Sequence, residues 1–165
     1  MKNWYLGAGC VSQTVWNGLH GFPATAHIKD YDLVYFDESD LSYEAEDVYV
    51  KAAGEAFRDL GVEVEVKNEA RVHLWYEGRF GHPIPPYLSS EDAISSWPTT
   101  ATCVGIRRDE DGRFEAYAAF GLEDLFAMVV RPNKRQTTKE VYLEKADRWA
   151  SFWPKLRVVP WEDTP

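Results

Sequence analysis

The sequence has few of the features that mark secreted, membrane-spanning or cysteine-ligated metal proteins. Its two cysteines, Cys10 and Cys103, lie far apart and form no spaced pair, so neither a disulfide framework nor a cysteine-based zinc site is predicted. The apolar stretch 4–11 is interrupted at Ser12 and Gln13, too early for the core of a signal peptide, and no other run approaches the length of a membrane span. We therefore expect a cytoplasmic protein without a membrane partner.

Basic residues are in the minority. The chain contains 18 Lys and Arg against 27 Asp and Glu, which gives a formal net charge of -9. Such a surface repels a long phosphate polymer, so a long nucleic acid is not expected as a partner. A nucleoside triphosphate with its magnesium ion is small and largely neutralised, so the acidic balance does not exclude it.

Length and composition indicate a globular protein with one core. The chain has 165 residues, of which 45% are hydrophobic and 27% charged, and these values are ordinary for a folded domain. No repeat, linker or change in composition divides the sequence. We predict a single domain over residues 1–165, and the sequence leaves its oligomeric state open.

The apolar periodicity predicts alternating helices and strands. Apolar residues recur at helical spacing in the segments 10–19, 45–60, 90–97, 122–128 and 140–153. Residues that favour strands are concentrated in the segments 31–36, 62–67, 101–107 and 113–120. This order indicates an α/β or α+β protein, with a mixed β-sheet and helices packed on one face.

Two aspartates lie at the start of one predicted strand, in the segment Asp30-Tyr31-Asp32-Leu33. Side chains two residues apart on a strand point to the same face. Both carboxylates can therefore bind the same hard cations, Mg²⁺ or Mn²⁺. The alternative interpretation is a purely solubilising acidic pair at the beginning of a surface strand.

A glycine-containing turn precedes the first predicted helix. Gly7 and Gly9 lie immediately before the helical segment, and glycine lets a phosphate approach the backbone closely. The N-terminus of the helix adds unpaired amides and a positive partial charge. We therefore predict that the turn from Gly9 to Ser12 contacts a triphosphate, although these glycines would serve equally for a simple turn or a close helix contact.

The order of these features, a glycine turn, a helix and then a strand with paired aspartates, resembles the polymerase-β-like nucleotidyltransferase superfamily. Longer blocks are similar to a small bacterial family of nucleotidyltransferase-like proteins, namely Trp16-Asn17 with Leu19-His20-Gly21, and the segments 30–37, 66–75 and 120–126. The resemblance implies that the turn holds a triphosphate and that Asp30 and Asp32 hold magnesium. It implies the fold of that superfamily and names no substrate.

The superfamily usually places a third carboxylate on a neighbouring strand. Valine and charged residues alternate strictly over 62–67, so Glu63, Glu65 and Lys67 share one face. We assign Glu65 as the third acid because it adjoins the family-like block that begins at Val66. Glu63 and a purely solvated strand face remain as alternatives. Lys67, on the same face, is assigned to nucleotide binding.

Arg71 is the remaining predicted ligand of the nucleotide. It follows the presumed third-acid strand by a few residues, and a guanidinium group matches the geometry of phosphate oxygens. The alternative is an ion pair between Arg71 and the acidic cluster near Asp37.

Three functions are compatible with these observations. The favoured one is a metal-dependent nucleotidyltransferase whose partners are a nucleoside triphosphate and an acceptor that the sequence does not name. The others are a non-catalytic module that binds a nucleotide or a metal, and a protein-interaction domain on the same fold.

Overall fold

The computed structural model of the protein describes residues 1–164. The strands are β1 (Tyr5–Gly7), β2 (Asp30–Tyr35), β3 (Glu63–Asn68), β4 (Val104–Arg108), β5 (Phe114–Ala118), β6 (Val129–Val130) and β7 (Arg157–Val158). The α-helices are α1 (Gly9–His20), α2 (Tyr43–Ala56), α3 (His73–Phe80), α4 (Ser90–Ile94), α5 (Glu123–Phe126) and α6 (Lys139–Phe152). None of these helices is both long and apolar enough to cross a membrane.

The first five strands form one mixed sheet in the order β3-β2-β1-β4-β5. β2 and β3 run parallel, and the other neighbours run antiparallel. A parallel pair needs a long crossover connection, and α2 supplies it. β6 and β7 form a separate parallel pair. The predicted mixed sheet with alternating helices is thus confirmed.

One face of the sheet packs against α1 and α2. Leu33 and Val66 on this face form a buried cluster with Ala53 of α2. Farther along the same face, Val104 packs with Trp16 of α1. Strand register explains the arrangement, since Leu33 pairs with Leu6, which also pairs with β4. The apolar side chains of β2, β3 and β4 therefore point the same way.

The opposite face is apolar only in its central part. There Tyr5 and Val34 are buried against Ile94 of α4. Beyond Val34, the same face of β2 carries Asp32. α4 thus covers the face that α1 and α2 leave open, and the acidic end of β2 remains outside that small core.

The periodicity of the sequence did not predict two elements, β1 and α3. β1 has only three residues, too few to show alternation. α3 begins inside the family-like block 66–75 and contains no fully buried residue, so it lacks a clear apolar stripe. The long helix predicted over 45–60 ends at Ala56 and continues as a 3₁₀ turn, after which Gly61 takes a positive φ of 63°.

The largest buried cluster joins α6 to α1 through tryptophans. Trp16 of α1 makes edge-on contacts with Trp149 and Trp153, at ring-centroid distances of 5.5 and 5.7 Å. The indole Nε1 of Trp153 donates a hydrogen bond of 2.8 Å to Oδ1 of Asn17. These contacts fix both the position and the rotation of α6.

Replacing Trp153 by alanine is expected to lower the free energy of unfolding by about 3 kcal/mol, because it opens a cavity in this core. It also leaves the Asn17 side chain without its donor. Urea unfolding of the wild type and the variant measures the loss. Phe152→Ala is the matched control, since the neighbouring Phe152 is 41% exposed and its removal is expected to cost less than about 1 kcal/mol. Equal losses in the two variants would contradict this account of the core.

Candidate active site

Four carboxylates share one face of the parallel pair β2 and β3. Asp30 lies opposite Glu63, and Asp32 lies opposite Glu65. Residues two apart on a strand point the same way, and directly paired residues on neighbouring strands share a face. The structure therefore brings Asp30, Asp32 and Glu65 to one side of the sheet. Glu63 lies there too, at the exposed start of β3.

Lys67 follows on the same face of β3 and interacts with two of these acids. Its Nζ lies 2.5 Å from Oε2 of Glu65 and 3.7 Å from Oδ1 of Asp32. Burial by itself would lower the pKa of Lys67, but the hydrogen bond to Glu65 and the charges of Asp32 and Glu65 raise it. Lys67 is thus a firmly held cation between the carboxylates.

The carboxylate of Asp32 is held in an unfavourable environment. Burial raises its pKa, the charge of Lys67 opposes that effect, and Asp30 and Glu65 add to it. A cation bound at Asp32 would relieve both the desolvation and the repulsion between the acids. Asp30 is less enclosed and forms an ion pair of 3.2 Å with Lys29.

Asp32 and Lys67 form part of the floor of a cleft of about 430 Å³. α3 and the residue before it supply one wall, with Val72, Trp75, Tyr76, Arg79 and Phe80. α6 and the residue before it supply the other, with Thr138, Val141, Glu144, Lys145 and Arg148. Within the described part of the chain, Asp30 and Glu65 are not among the lining residues. The acidic site therefore adjoins the cleft and enters it through Asp32.

The turn between β1 and α1 also borders this cleft. Gly7 lies so close to Trp97 that a Cβ atom would come within 2.5 Å of its Cη2, so a larger residue would not fit there. Ala8 lines the cleft and has a φ of 56°, a conformation that favours glycine and is enriched at functional turns. The turn thus reaches the site through Ala8.

Gly9 and Ser12 do not reach the cleft. Gly9 is the first residue of α1, and a Cβ there would lie 2.8 Å from Nε2 of Gln13, so the Gln13 side chain covers it. Ser12 is fully buried, and its Oγ donates a hydrogen bond of 2.8 Å to the carbonyl oxygen of Ala101. The helix turns Ser12 inward, so the predicted phosphate contact is not supported for these two residues.

Arg71 lies outside the cleft as well. Its Nη1 is 2.6 Å from Oε2 of Glu46 on α2, and its Nε donates to the carbonyl oxygen of Leu41 at 3.2 Å. The other Glu46 oxygen accepts the backbone N–H of Asn68 at 2.7 Å. The predicted phosphate contact is therefore replaced by the ion-pair alternative, with Glu46 as the partner instead of an acid next to Asp37. A 3₁₀ turn after β3 places Arg71 there.

Replacing Arg71 by alanine is expected to destabilise the protein by about 2 kcal/mol, because a largely buried Glu46 carboxylate loses its partner. Affinity for nucleoside triphosphates should stay within about twofold of the wild type, since the side chain points away from the cleft. Unfolding and binding are measured on the same preparations, and Arg58→Ala, at an exposed arginine, serves as the control. A folded Arg71→Ala protein with no nucleotide affinity would return Arg71 to the site.

Several cleft residues were missed by the sequence predictions, among them Glu69, Lys145 and Arg148. Glu69 continues the alternation of Glu65 and Lys67 and was available from that pattern. Lys145 and Arg148 share a helical face, but only the packing of α6 shows that this face lines the cleft together with Asp32. Secondary structure alone carries no information on that contact.

Glu69 is buried and lines the cleft near Lys67 and Asp32. Burial raises its pKa to about 8, the nearby charge of Lys67 acts in the opposite direction, and Asp32 adds to the rise. The neutral form of Glu69 is therefore favoured at neutral pH, and in that form its carboxyl group is able to donate a hydrogen bond within the cleft.

Comparisons with known proteins bear on the fold. A family model described as "Nucleotidyltransferase" matches residues 1–158. A protein whose NMR structure is reported to reveal a CCA-adding enzyme head domain is 30% identical, and the match covers 97% of this chain and 83% of that one with a TM-score of 0.75. A search of curated proteins finds no match. Because the family model spans nearly the whole chain and the same fold recurs in the head domain, the protein belongs to this nucleotidyltransferase family.

Proposed function

We propose that the protein is a metal-dependent enzyme that transfers a nucleotidyl group from a nucleoside triphosphate to an acceptor. The observation that carries the proposal is the placement of Asp30, Asp32 and Glu65 on one face beside the cleft. The volume of that cleft lies within the range of small-molecule sites, about 300 to 1,000 Å³. Membership of the nucleotidyltransferase family supports the same class of reaction, and so does the similarity to a structure described as a CCA-adding enzyme head domain.

The donor atoms fit Mg²⁺ or Mn²⁺ in part. Carboxylate oxygens are the ligands that these hard cations prefer, and Asp30 and Asp32 supply them from one face. In residues 1–164, no group of three or more acidic, histidine or cysteine side chains is assembled for a metal. The Nζ atom of Lys67 lies 2.5 Å from Oε2 of Glu65, so Glu65 binds a metal together with the other acids only if Lys67 moves away.

In the proposed reaction, an acceptor oxygen forms a bond to the α-phosphorus of the triphosphate, and the bond from that phosphorus to the bridging oxygen breaks. Pyrophosphate leaves with that electron pair. The metal, when bound, supplies stabilisation of the charge on the attacking and leaving oxygens. Asp30 and Asp32 would hold it. Glu65 would take the acceptor's proton, or, if Glu65 completes the metal site, that proton would pass to solvent. Ala8, at the edge of the cleft, keeps the turn backbone beside the nucleotide.

The test is a transfer assay with the wild-type chain and two matched labels. Each nucleoside triphosphate is labelled at the α-phosphate or at the γ-phosphate and incubated with the protein and fractionated cell extract. The α label is expected to enter an acceptor in Mg²⁺ or Mn²⁺ but not in chelator, and the γ label is expected to leave in pyrophosphate. Incorporation of the γ label, or of neither label, would overturn the proposal.

A second candidate is a module that binds a nucleotide without transferring it, and the position of Lys67 favours it. A lysine between Asp32 and Glu65 already neutralises charge where a metal would lie. This candidate predicts nucleotide affinity that is the same in chelator and in Mg²⁺, with no transfer of label. Metal-dependent binding with turnover excludes it.

A further inference from the structure

Of the nucleotide ligands predicted from the sequence, Lys67 alone lines the cleft, and it is already paired with Glu65 and Asp32. Ser12 is buried in a hydrogen bond to Ala101, and Arg71 is bonded to Glu46. A triphosphate in this cleft needs other cations, and two of the candidates lie on α6.

The packing of α6 fixes which of its residues face the cleft. Tyr142, Ala146 and Trp149 are buried in the core, and Trp149 contacts Trp16 at 5.5 Å. The stripe next to this buried one, with Lys145 and Arg148, lines the cleft. The two cations lie three residues apart and are therefore neighbours on the helix surface. The tryptophan core thus presents them to the cleft on a rigid element.

Neither cation is neutralised by the protein. Among residues 1–164, no carboxylate oxygen lies within 4.0 Å of the charged nitrogen atoms of Lys145 or Arg148. Burial lowers the pKa of Lys145, Arg148 lowers it further, and the charges of Asp32 and Asp30 act in the opposite direction. Lys145 is thus a partly buried ammonium group that lines the same cleft as Asp32 and lacks a bonded anion.

The cleft as a whole differs in charge from the rest of the chain. Its lining contains four basic side chains, namely Lys67, Arg79, Lys145 and Arg148, and three carboxyl groups, namely Asp32, Glu69 and Glu144. The neutral form of Glu69 is favoured near pH 7 because burial raises its pKa to about 8. In a protein of net charge -9, a cleft with more cations than anions attracts a small polyanion and leaves the remaining surface repulsive to larger ones.

We propose that Lys145 and Arg148 of α6 form the phosphate-binding element of this cleft and hold the β- and γ-phosphates of a nucleoside triphosphate opposite Asp32. The proposal rests on the proposed function only for the identity of the ligand. It assigns to α6 the role that the sequence assigned to the glycine turn. The chemistry it requires is that of an inorganic polyphosphate chain, whatever nucleoside is attached.

The probe is therefore inorganic tripolyphosphate, titrated calorimetrically into the wild type in Mg²⁺. Lys145→Met and Arg148→Met are each expected to weaken binding by about 10- to 100-fold, the effect of one charge-assisted contact. Lys145→Arg is expected to restore most of the affinity. The matched control is Lys139→Met on the same helix, where Lys139 pairs with Glu162 at the surface and lies outside the cleft lining. It should leave the affinity unchanged.

A thermal-unfolding readout separates binding from folding. Lys145→Met removes a partly buried charge, so it should melt at or above the wild-type temperature without ligand yet lose the rise that tripolyphosphate produces. Wild-type protein that does not bind tripolyphosphate, or a Lys145→Met variant that binds it as tightly, overturns the inference. Tripolyphosphate binding that depends on Lys145, found together with no label transfer, supports the inference and overturns the proposed function. Label transfer with an unchanged KM in Lys145→Met supports the proposed function and overturns the inference.

Discussion

Replacing Asp32 by asparagine is expected to lower the rate of nucleotidyl transfer by about 1000-fold, the scale seen when one electrostatic group of a catalytic site is removed. Asp32 is the acid that both borders the cleft and shares a face with Asp30, so no other carboxylate of β2 replaces it. Label transfer under single-turnover conditions measures the loss. Asp59→Asn, at an exposed aspartate near the end of the α2 segment, is the matched control and should retain full activity.

The same variant separates a catalytic role of Asp32 from a structural one. Burial raises the pKa of Asp32, so its charge is unfavourable in the empty site, and Asp32→Asn should be as stable as the wild type in chelator or slightly more stable. A nucleotide at about 100 times its dissociation constant adds about 2.7 kcal/mol of apparent stability to the wild type. The variant should lose most of that gain. A variant that melts much earlier in chelator would instead mark Asp32 as a structural residue.

The stability of the empty protein is expected to fall as the pH rises from about 4.5 to about 8, because Glu69 is buried as a neutral acid. The folded state raises the pKa of Glu69 from 4.5 to about 8, so its stabilising contribution is fully present below pH 4.5 and is lost as the pH rises through the folded value. Between the two values the unfolded chain has released a proton that the folded protein retains. At about 1.4 kcal/mol per pH unit of this interval, the loss from this group is on the order of 4 kcal/mol.

Glu69→Gln isolates this contribution, since glutamine keeps the shape and hydrogen-bonding capacity of the neutral acid but does not titrate. Urea unfolding at pH 5, 6, 7 and 8 should show a flatter curve for the variant, which should exceed the wild type in stability at pH 8. Glu77→Gln, at an exposed glutamate of α3, should follow the wild-type curve. Parallel curves for wild type and Glu69→Gln would mean that Glu69 is ionised in the folded protein, with Lys67 as its partner.

The strands of the site were predictable because their signals are local. The strict alternation of Val62 to Lys67 and the spacing of Asp30 and Asp32 each depend on the two-residue period of one strand. The structure places all of these side chains as that period requires. β1 and α3 were missed because one is too short and the other too exposed to carry a periodic signal.

The ligands of the phosphate were not predictable in the same way. Ser12 and Arg71 have suitable functional groups and lie close in sequence to the motifs, but α1 buries the first and Glu46 binds the second. Both outcomes depend on contacts between segments that are distant in sequence. Lys145 illustrates the reverse case, since its sequence neighbours indicate a core helix and nothing more.

The sequence by itself determined the class of fold, the shared face of Asp30 and Asp32 on one strand, and the resemblance to nucleotidyltransferases. Each of these follows from local periodicity or from contiguous motifs. Only the tertiary structure decided that Lys67 lies between two of the acids, that Glu69 is buried, and that α6 turns Lys145 and Arg148 toward the cleft. The physical reason is that burial and ion pairing depend on which elements pack together. For α6 that packing is fixed by tryptophan contacts between residues more than a hundred positions apart.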